Sequence, residues 1–192
     1  MQILGPIIRL QIQRSSLKTG ERPARVYDPG PLLVVERLAV SPDGSLGFAG
    51  DQGWIVDIHN RAHPETKNGD GQHGLSLGFT GHYDAMRDRF GSRIAVGCAG
   101  ENIIVDAPRR LSLEELGNGV AILAADGTEV LRLAVLDVAH PCRPFTGWAL
   151  GGVVESEVLK AHLQFLDDGM RGYRLGGEAR AIVSLGDQVA AL

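Results

Sequence analysis

Glycine is the feature that most restricts how this chain can fold, because 26 of its 192 residues are glycine. That share is nearly twice the usual value of about 7%. Glycine weakens long helices and supplies the left-handed backbone that tight turns need. Together with neighbouring Pro, Asn and Asp, the glycines divide the chain into short apolar segments. The pattern predicts many short strands joined by tight turns, with few helices.

Most of these apolar segments have the two-residue period or the β-branched composition of strands. The segment 6–13 alternates, which predicts that Ile8, Leu10 and Ile12 share one face. Turns are predicted at Ala125-Asp-Gly-Thr128 and at Gly186-Asp187. The other predicted strands are 32–35, 120–124, 129–138, 180–184 and 188–191.

Three segments carry helical signals. Residues 80–90 place apolar side chains three and four positions apart, with Thr80 as a candidate N-cap. Ser112, followed by two glutamates, predicts one capped helical turn. Residues 156–166 have a single apolar stripe, and Gly169 is positioned to end that helix.

Residues Asn60 to Gly74 contain almost no apolar side chains. A loop of this length inside a compact domain is usually functional, and little contact energy opposes its opening. We therefore expect this loop to be mobile without ligand and to border the binding pocket.

The whole sequence predicts a single domain over residues 1–192, mainly β and barrel-like, with a few short helices inserted. The start of the chain lacks a signal-peptide pattern, and no apolar run approaches the roughly 20 residues of a membrane span. Two cysteines cannot form a disulfide framework. We expect a cytoplasmic protein with reduced thiols and no membrane partner. The net charge of −4 argues against a nucleic-acid partner.

The segment Gly97-Cys-Ala-Gly-Glu-Asn102 forms a glycine-rich corner between two predicted apolar strands, 94–96 and 103–105. Gly100 lets backbone N–H groups approach an anion, Glu101 adds a carboxylate, and Asn102 adds a donor and an acceptor. The alternative is a plain turn in which Asn102 only caps backbone groups. Walker and Rossmann spacings are absent, so an ordinary nucleotide site is not supported.

Cys142 follows a long apolar segment and lies between two prolines that restrict the backbone. Arg143 is adjacent and His140 is two residues away, so the local charge favours the thiolate, which ligates metals and attacks electrophiles. The alternative is a small buried cysteine at a strand end. Cys98, among Gly and Ala, is predicted to be structural.

The six histidines lack the spacing of a structural zinc site. His73 follows the glycine-rich part of the loop and is a candidate for facing a pocket. The alternative for each histidine is an ordinary surface or core position.

In their order along the chain, these segments resemble the MOSC domain, the molybdenum cofactor sulfurase C-terminal domain, in its small stand-alone bacterial form. The resemblance covers nearly the whole chain. The residues that carry it are 47–51 (Gly-Phe-Ala-Gly-Asp), 97–102 (Gly-Cys-Ala-Gly-Glu-Asn), 132–142 (ending His-Pro-Cys), 169–173 (Gly-Met-Arg-Gly-Tyr) and Gly186-Asp187.

The resemblance implies a mostly β, barrel-like fold and a functional cysteine that maps onto Cys142. In relatives that reduce N-hydroxylated compounds, this cysteine is a ligand of molybdenum in the pterin cofactor. In sulfurase proteins, the domain receives or presents sulfur. The residues expected around the molybdenum cofactor (molybdopterin) are Asn102, Glu101, Gly100, Arg143, His140 and His73.

Two positions depart from the family pattern. Ala139 stands where relatives carry an arginine, three residues before the cysteine, and 70–74 is the nearest match to their His-Gly-Gly-Pro-Asp loop. An anionic pterin phosphate needs several cationic or N–H partners. Loss of this arginine therefore lowers the expected affinity for the cofactor, and Arg143 or a loop residue is the candidate replacement.

Three functions follow as expectations. The first is a molybdenum-dependent oxidoreductase that reduces small N-hydroxylated substrates, with Cys142 as the metal ligand. The sequence has no flavin, haem or iron–sulfur motif, so an external electron-transfer protein would supply the electrons. The second is a sulfur carrier that takes sulfur from a sulfur donor as a Cys142 persulfide. The third is a non-catalytic cofactor-binding module, which Ala139 favours.

Overall fold

The computed structural model describes residues 1–152 and 155–192. It confirms the mainly β class, with 35% strand and 19% helix. The strands are β1 (Gln2–Gln13), β2 (Lys18–Thr19), β3 (Val26–Tyr27), β4 (Leu32–Val35), β5 (Arg37–Ser41), β6 (Gly44–Phe48), β7 (Trp54–Val56), β8 (Leu75–Phe79), β9 (Ile103–Val105), β10 (Val120–Leu123), β11 (Glu129–Val138), β12 (Tyr173–Gly176), β13 (Ala181–Ser184) and β14 (Gln188–Ala191). The helices are α1 (Thr80–Phe90), α2 (Leu113–Leu116), α3 (Arg143–Ala149) and α4 (Ser156–Asp167), with a 3₁₀ turn at Gly50–Gln52. None of the helices in these ranges has the length and apolarity that crossing a membrane requires.

Seven strands close a barrel in the order β1-β14-β10-β11-β12-β8-β9 and back to β1. The β8–β9 pair is parallel, and the other barrel pairs are antiparallel. The second half of β1 also pairs with β4. A smaller sheet contains β13, β5, β6 and β7, and β2 pairs with β3 in a short hairpin. The barrel-like architecture that the sequence predicted is therefore confirmed.

Strand β1 departs from the predicted alternation at one point. Leu10 and Ile12 are fully buried, as predicted, whereas Ile8 is 46% exposed and Ile7 is buried instead. The pairing with β9 shifts between Ile7 and Arg9, and such a bulge reverses the alternation of side chains on one side of it. The prediction for Ile8 was therefore wrong.

Helix α1 has the predicted bounds, but its N-terminus differs from the prediction. Phe79 is the N-cap, and Thr80 is the first helical residue. The Thr80 hydroxyl donates to Asp106 and accepts from the backbone N–H of Ala107, both at 3.0 Å. Thr80 therefore ties the helix to the segment after β9. The predicted cap at Ser112 is present as a complete capping box.

Outside the barrel, a second apolar cluster joins α1, α3 and the β2–β3 hairpin. Tyr27 and Phe145 pack edge to face within it, with their ring centroids 5.1 Å apart. Helix α3 was not predicted, because Pro144 and Gly147 are poor helix formers. Proline is nevertheless tolerated in a first helical turn. Helix α3 begins directly after Cys142 and so fixes the position of this residue.

Candidate functional site

Cys142 occupies the N-cap position of α3 and is partly exposed. The chain reaches it from the end of β11, where the N–H of Ala139 donates to the carbonyl of Gly172 at 2.8 Å. Cys142 packs against the apolar cluster formed by α1 and α3. Arg143, the predicted cation, is exposed. No hydrogen bond or ion pair joins its guanidinium to any residue in the described ranges.

The guanidinium next to the thiol belongs to Arg171, which the sequence analysis did not single out. Its Nη1 lies 3.8 Å from Cys142 Sγ and donates to the carbonyl of His140 at 3.3 Å. Its Nη2 donates to the carbonyl of Ala99 at 2.8 Å. Its Cζ lies 4.5 Å from the centre of the Phe145 ring. Because Ala99 belongs to the segment 97–102, Arg171 joins this segment to Cys142.

Asn102 is buried and hydrogen-bonded through both polar atoms of its side chain. Its Oδ1 accepts from the backbone N–H and the hydroxyl of Ser76, at 3.1 and 3.0 Å. Its Nδ2 donates to the carbonyl of Gln11 and to Asp57 Oδ2, both at 3.2 Å. Asn102 thus holds β1, β8 and the segment after β7 together, and no donor or acceptor is left for a ligand in this arrangement. This geometry is close to the capping alternative, except that Asn102 bonds two side chains, Ser76 and Asp57, as well as backbone groups.

Glu101 is also buried, with 3% of its surface exposed. Its Oε2 accepts a hydrogen bond from the hydroxyl of Tyr83. Burial raises the pKa of the Glu101 carboxyl, and it raises the pKa of Tyr83 well above its ordinary value. Gly100 has a positive φ of 98°, and its carbonyl accepts from Gln13 Nε2 at 2.9 Å. Glu101 Oε2 and the Gly100 carbonyl are therefore bonded within the fold. Of the two strands predicted on either side of this corner, 103–105 is β9, whereas 94–96 is not a strand, because it lies in a series of turns between α1 and the corner.

The two predicted histidines belong to one polar network on the outer face of the barrel. His140 contacts Asp167 through Nδ1 at 2.9 Å and Asp137 through Nε2 at 3.1 Å. Arg174 donates to Asp137 at 2.7 Å and to Nδ1 of His73 at 2.8 Å. The hydrogen bond to Asp167, with Asp137 nearby, raises the pKa of His140. Burial and the charge of Arg174 lower the pKa of His73.

A cleft of about 370 Å³ lies beside this network. The segment 60–74 borders it, and neither Cys142 nor Arg171 lines it. The segment is held by two buried side chains: Asn60 accepts from the N–H of Ala62 at 2.9 Å, and Asn68 accepts from the N–H of His73 at 2.7 Å. Its mobility remains a prediction. Arg61, Asp70, Gln72, Leu136 and Glu178 are among the residues that line the cleft.

The group that the resemblance implies, a molybdenum pterin, requires a soft sulfur ligand and donors for an anionic phosphate. Cys142 offers a partly exposed thiol. Arg171 Nε and Arg174 Nε are buried and have no hydrogen-bond partner within the described residues. The donor set at Cys142 therefore fits such a group, with Arg171 in the role expected of Arg143.

No protein-family profile and no curated protein matches this chain. Eight chains of solved structures are similar to it, and two of them show the extent of the likeness. One is described as the crystal structure of a hypothetical protein. The alignment includes 98% of this chain and 67% of that protein's chain, with a TM-score of 0.55 and 13% sequence identity. The other is the YuaD protein from Bacillus subtilis. The alignment includes 95% of this chain and 96% of the YuaD chain, with a TM-score of 0.52 and 14% sequence identity. At these identities the likeness shows the fold alone.

Proposed function

We propose that this protein is a MOSC-type protein that binds molybdenum cofactor through Cys142 and reduces small N-hydroxylated substrates. One observation carries the proposal. The Arg171 guanidinium contacts both the Cys142 sulfur and the Ala99 carbonyl. It thereby brings together the Gly-Glu-Asn and Pro-Cys segments on which the resemblance rests, although these lie about 40 residues apart.

The roles of the chain's own residues follow from their chemistry. Cys142 supplies the sulfur ligand, and the bound cofactor supplies the redox chemistry of molybdenum. Arg171 and Arg174 each keep one buried N–H without a partner in the described chain, and guanidinium donors suit anionic groups. His140 keeps its proton to a higher pH than an ordinary histidine. Its ring is held by Asp167 and Asp137, and its backbone carbonyl accepts from Arg171.

The test is the molybdenum content of protein produced in a cofactor-synthesising host. We expect about one molybdenum per chain in the wild type and in Cys98→Ala, and almost none in Cys142→Ala. Reduction of a hydroxylamine by the loaded protein, with reduced methyl viologen as electron source, tests turnover. A Cys142→Ala variant that keeps full molybdenum loading would sink this proposal. Binding without turnover would support the non-catalytic module instead.

The second candidate is a sulfur carrier, which the partly exposed Cys142 thiol beside a guanidinium also favours. In this reaction the Cys142 thiolate attacks the outer sulfur of a donor persulfide. A new S–S bond forms on Cys142, the donor's S–S bond breaks, and the donor leaves as its thiolate, so no external oxidant is needed. Sulfane sulfur on wild-type protein, absent in Cys142→Ala and accompanied by no molybdenum, would favour this function.

A further inference from the structure

Glu101 is a buried carboxyl that the proposed chemistry does not use. Its side chain lies against two glycines: a Cβ built on Gly78 would lie 2.9 Å from Oε1, and one built on Gly172 would lie 3.2 Å from Cγ. Oε2 accepts from Tyr83, whereas Oε1 has no partner in the described part of the chain. Burying an incompletely bonded carboxyl is unfavourable. Packing alone therefore does not account for a glutamate at this position.

The hydroxyl of Tyr83 connects Glu101 to the backbone beside Arg171. Because this hydroxyl donates to Glu101, it is free to accept from the N–H of Ala99, at 3.3 Å. The carbonyl of the same peptide accepts from the Tyr27 hydroxyl at 2.7 Å. The next carbonyl, that of Ala99, accepts from Arg171 Nη2 at 2.8 Å. A continuous set of hydrogen bonds thus fixes the carbonyl that orients the guanidinium.

The position of Arg171 matters because its contact with the sulfur is longer than its other hydrogen bonds. Nη1 lies 3.8 Å from Cys142 Sγ and 3.3 Å from the carbonyl of His140. The energy between a guanidinium and a charge developing on sulfur changes with their separation. A small displacement of the Ala99 carbonyl would therefore alter how strongly Arg171 stabilises the thiolate, which is the reactive form.

We propose that Glu101 and Tyr83 are positioning residues that set the reactivity of Cys142 through Arg171. The inference rests on the reactive-thiol role of Cys142 in the proposed function. It is measured on the full chain produced without cofactor, so failed molybdenum or sulfur loading and failed coupling are separate results. The three groups act as one network, and mutations in such networks are not additive.

The experiment is a double-mutant cycle read out as the rate of Cys142 alkylation by iodoacetamide, with peptide mapping. Arg171→Met and Tyr83→Phe are each expected to slow alkylation about threefold to tenfold. In the Arg171→Met background, Tyr83→Phe should have no further effect. Glu101→Ala should also slow alkylation, and Glu101→Gln, which keeps an oxygen acceptor for Tyr83, should restore most of the rate.

Tyr173→Phe is the matched control. Tyr173 is as buried as Tyr83, and its hydroxyl donates to the carbonyl of Leu111. It should therefore cost similar stability without changing the alkylation rate. If Tyr83→Phe does not fold, Tyr27→Phe takes its place in the cycle, because it removes the other hydrogen bond to the Cys98–Ala99 peptide.

Three results would overturn the inference. In the first, Arg171→Met leaves the rate of Cys142 alkylation unchanged. In the second, the tyrosine variant has no effect, or slows alkylation equally with and without Arg171. A rate loss with Tyr173→Phe equal to that with Tyr83→Phe would also overturn it, since the effect would then reflect stability alone.

Discussion

The cation beside the Cys142 sulfur is Arg171, 29 positions away in sequence, and not the adjacent Arg143. Neighbours in sequence at the start of a helix diverge around its axis, whereas β12 and its preceding turn return to the end of β11. Only the strand pairing brings Arg171 to the sulfur, and periodicity carries no such information.

The two thiols should differ sharply in reactivity. Cys98 is 6% exposed, and burial, with a further contribution from Glu101, raises its pKa to about 12. Its thiolate is therefore scarce at pH 7 to 8, whereas Cys142 is partly exposed beside Arg171. We expect iodoacetamide to label Cys142 at least about 100-fold faster than Cys98 in folded protein. Peptide mapping over time checks this; equal rates are expected in urea, and faster labelling of Cys98 before unfolding would contradict it.

Glu101 should make stability depend on pH. Its folded pKa is raised above the ordinary 4.5, so above pH 4.5 the folded chain holds a proton that the unfolded chain has released. Its stabilising contribution is therefore complete below pH 4.5 and is lost as the pH rises through the folded pKa. Glu101→Gln lacks this loss, so it should become more stable relative to wild type between pH 5 and pH 8, as measured by urea unfolding.

The matched control for that experiment is Glu115→Gln. The backbone N–H of Ser112 and the side chain of Arg109 lower the pKa of Glu115 to about 2. Its contribution is present above pH 4.5 and is lost only as the pH falls towards 2. The cost of Glu115→Gln should therefore stay constant between pH 5 and pH 8. A constant difference for Glu101→Gln as well would contradict the raised pKa of Glu101.

At the scale of elements, strands with a clear period or turn signal could be predicted from sequence. The bounds of β4, β11, β14 and α1 agree with prediction because each has a regular apolar pattern and a marked end. Helix α3 and the bulge at Ile8 could not be predicted. Helix α3 depends on packing Phe145 against Tyr27, and the bulge depends on how β1 pairs with β9. Both are tertiary effects that override local preference.

Gly172 lies immediately before β12, next to Arg171, and its backbone requires glycine. Its φ is +80°, and a Cβ there would collide with the carbonyl oxygen of Leu77. Gly186 has a similar φ of +86°, but a Cβ there would meet nothing within 4 Å. Gly186→Ala should cost about 1 kcal/mol from backbone strain alone. Gly172→Ala should cost at least about 3 kcal/mol, because β8 and β12 must also separate. Urea unfolding measures both, and similar costs would show that the collision is relieved cheaply.

At the scale of the whole molecule, the chain closes the barrel by pairing its two ends. Strand β14 pairs with β1 on one side and with β10 on the other. Both terminal strands could be predicted from the sequence, but their pairing could not. Residues that pair between the two ends of the chain share no local sequence pattern. Closure leaves neither of these strands with a free edge on the barrel, and free edges promote association.

Because β1 and β14 close the barrel, a substitution that weakens their pairing should destabilise all of the barrel strands. Val189 is fully buried and pairs with Gly5 and Ile122, so Val189→Ala should cost about 2 kcal/mol. Ile182, in the separate sheet, is 49% exposed, so Ile182→Ala should cost less than about 0.5 kcal/mol. In a cooperative barrel, the slowest amides of β8, β10 and β11 exchange only on global unfolding. In Val189→Ala, the free energy of opening measured from their hydrogen exchange should therefore fall by the same amount as the free energy of unfolding. Faster exchange confined to β1 and β14 would instead show that the seam opens locally and that the rest of the barrel remains folded without it.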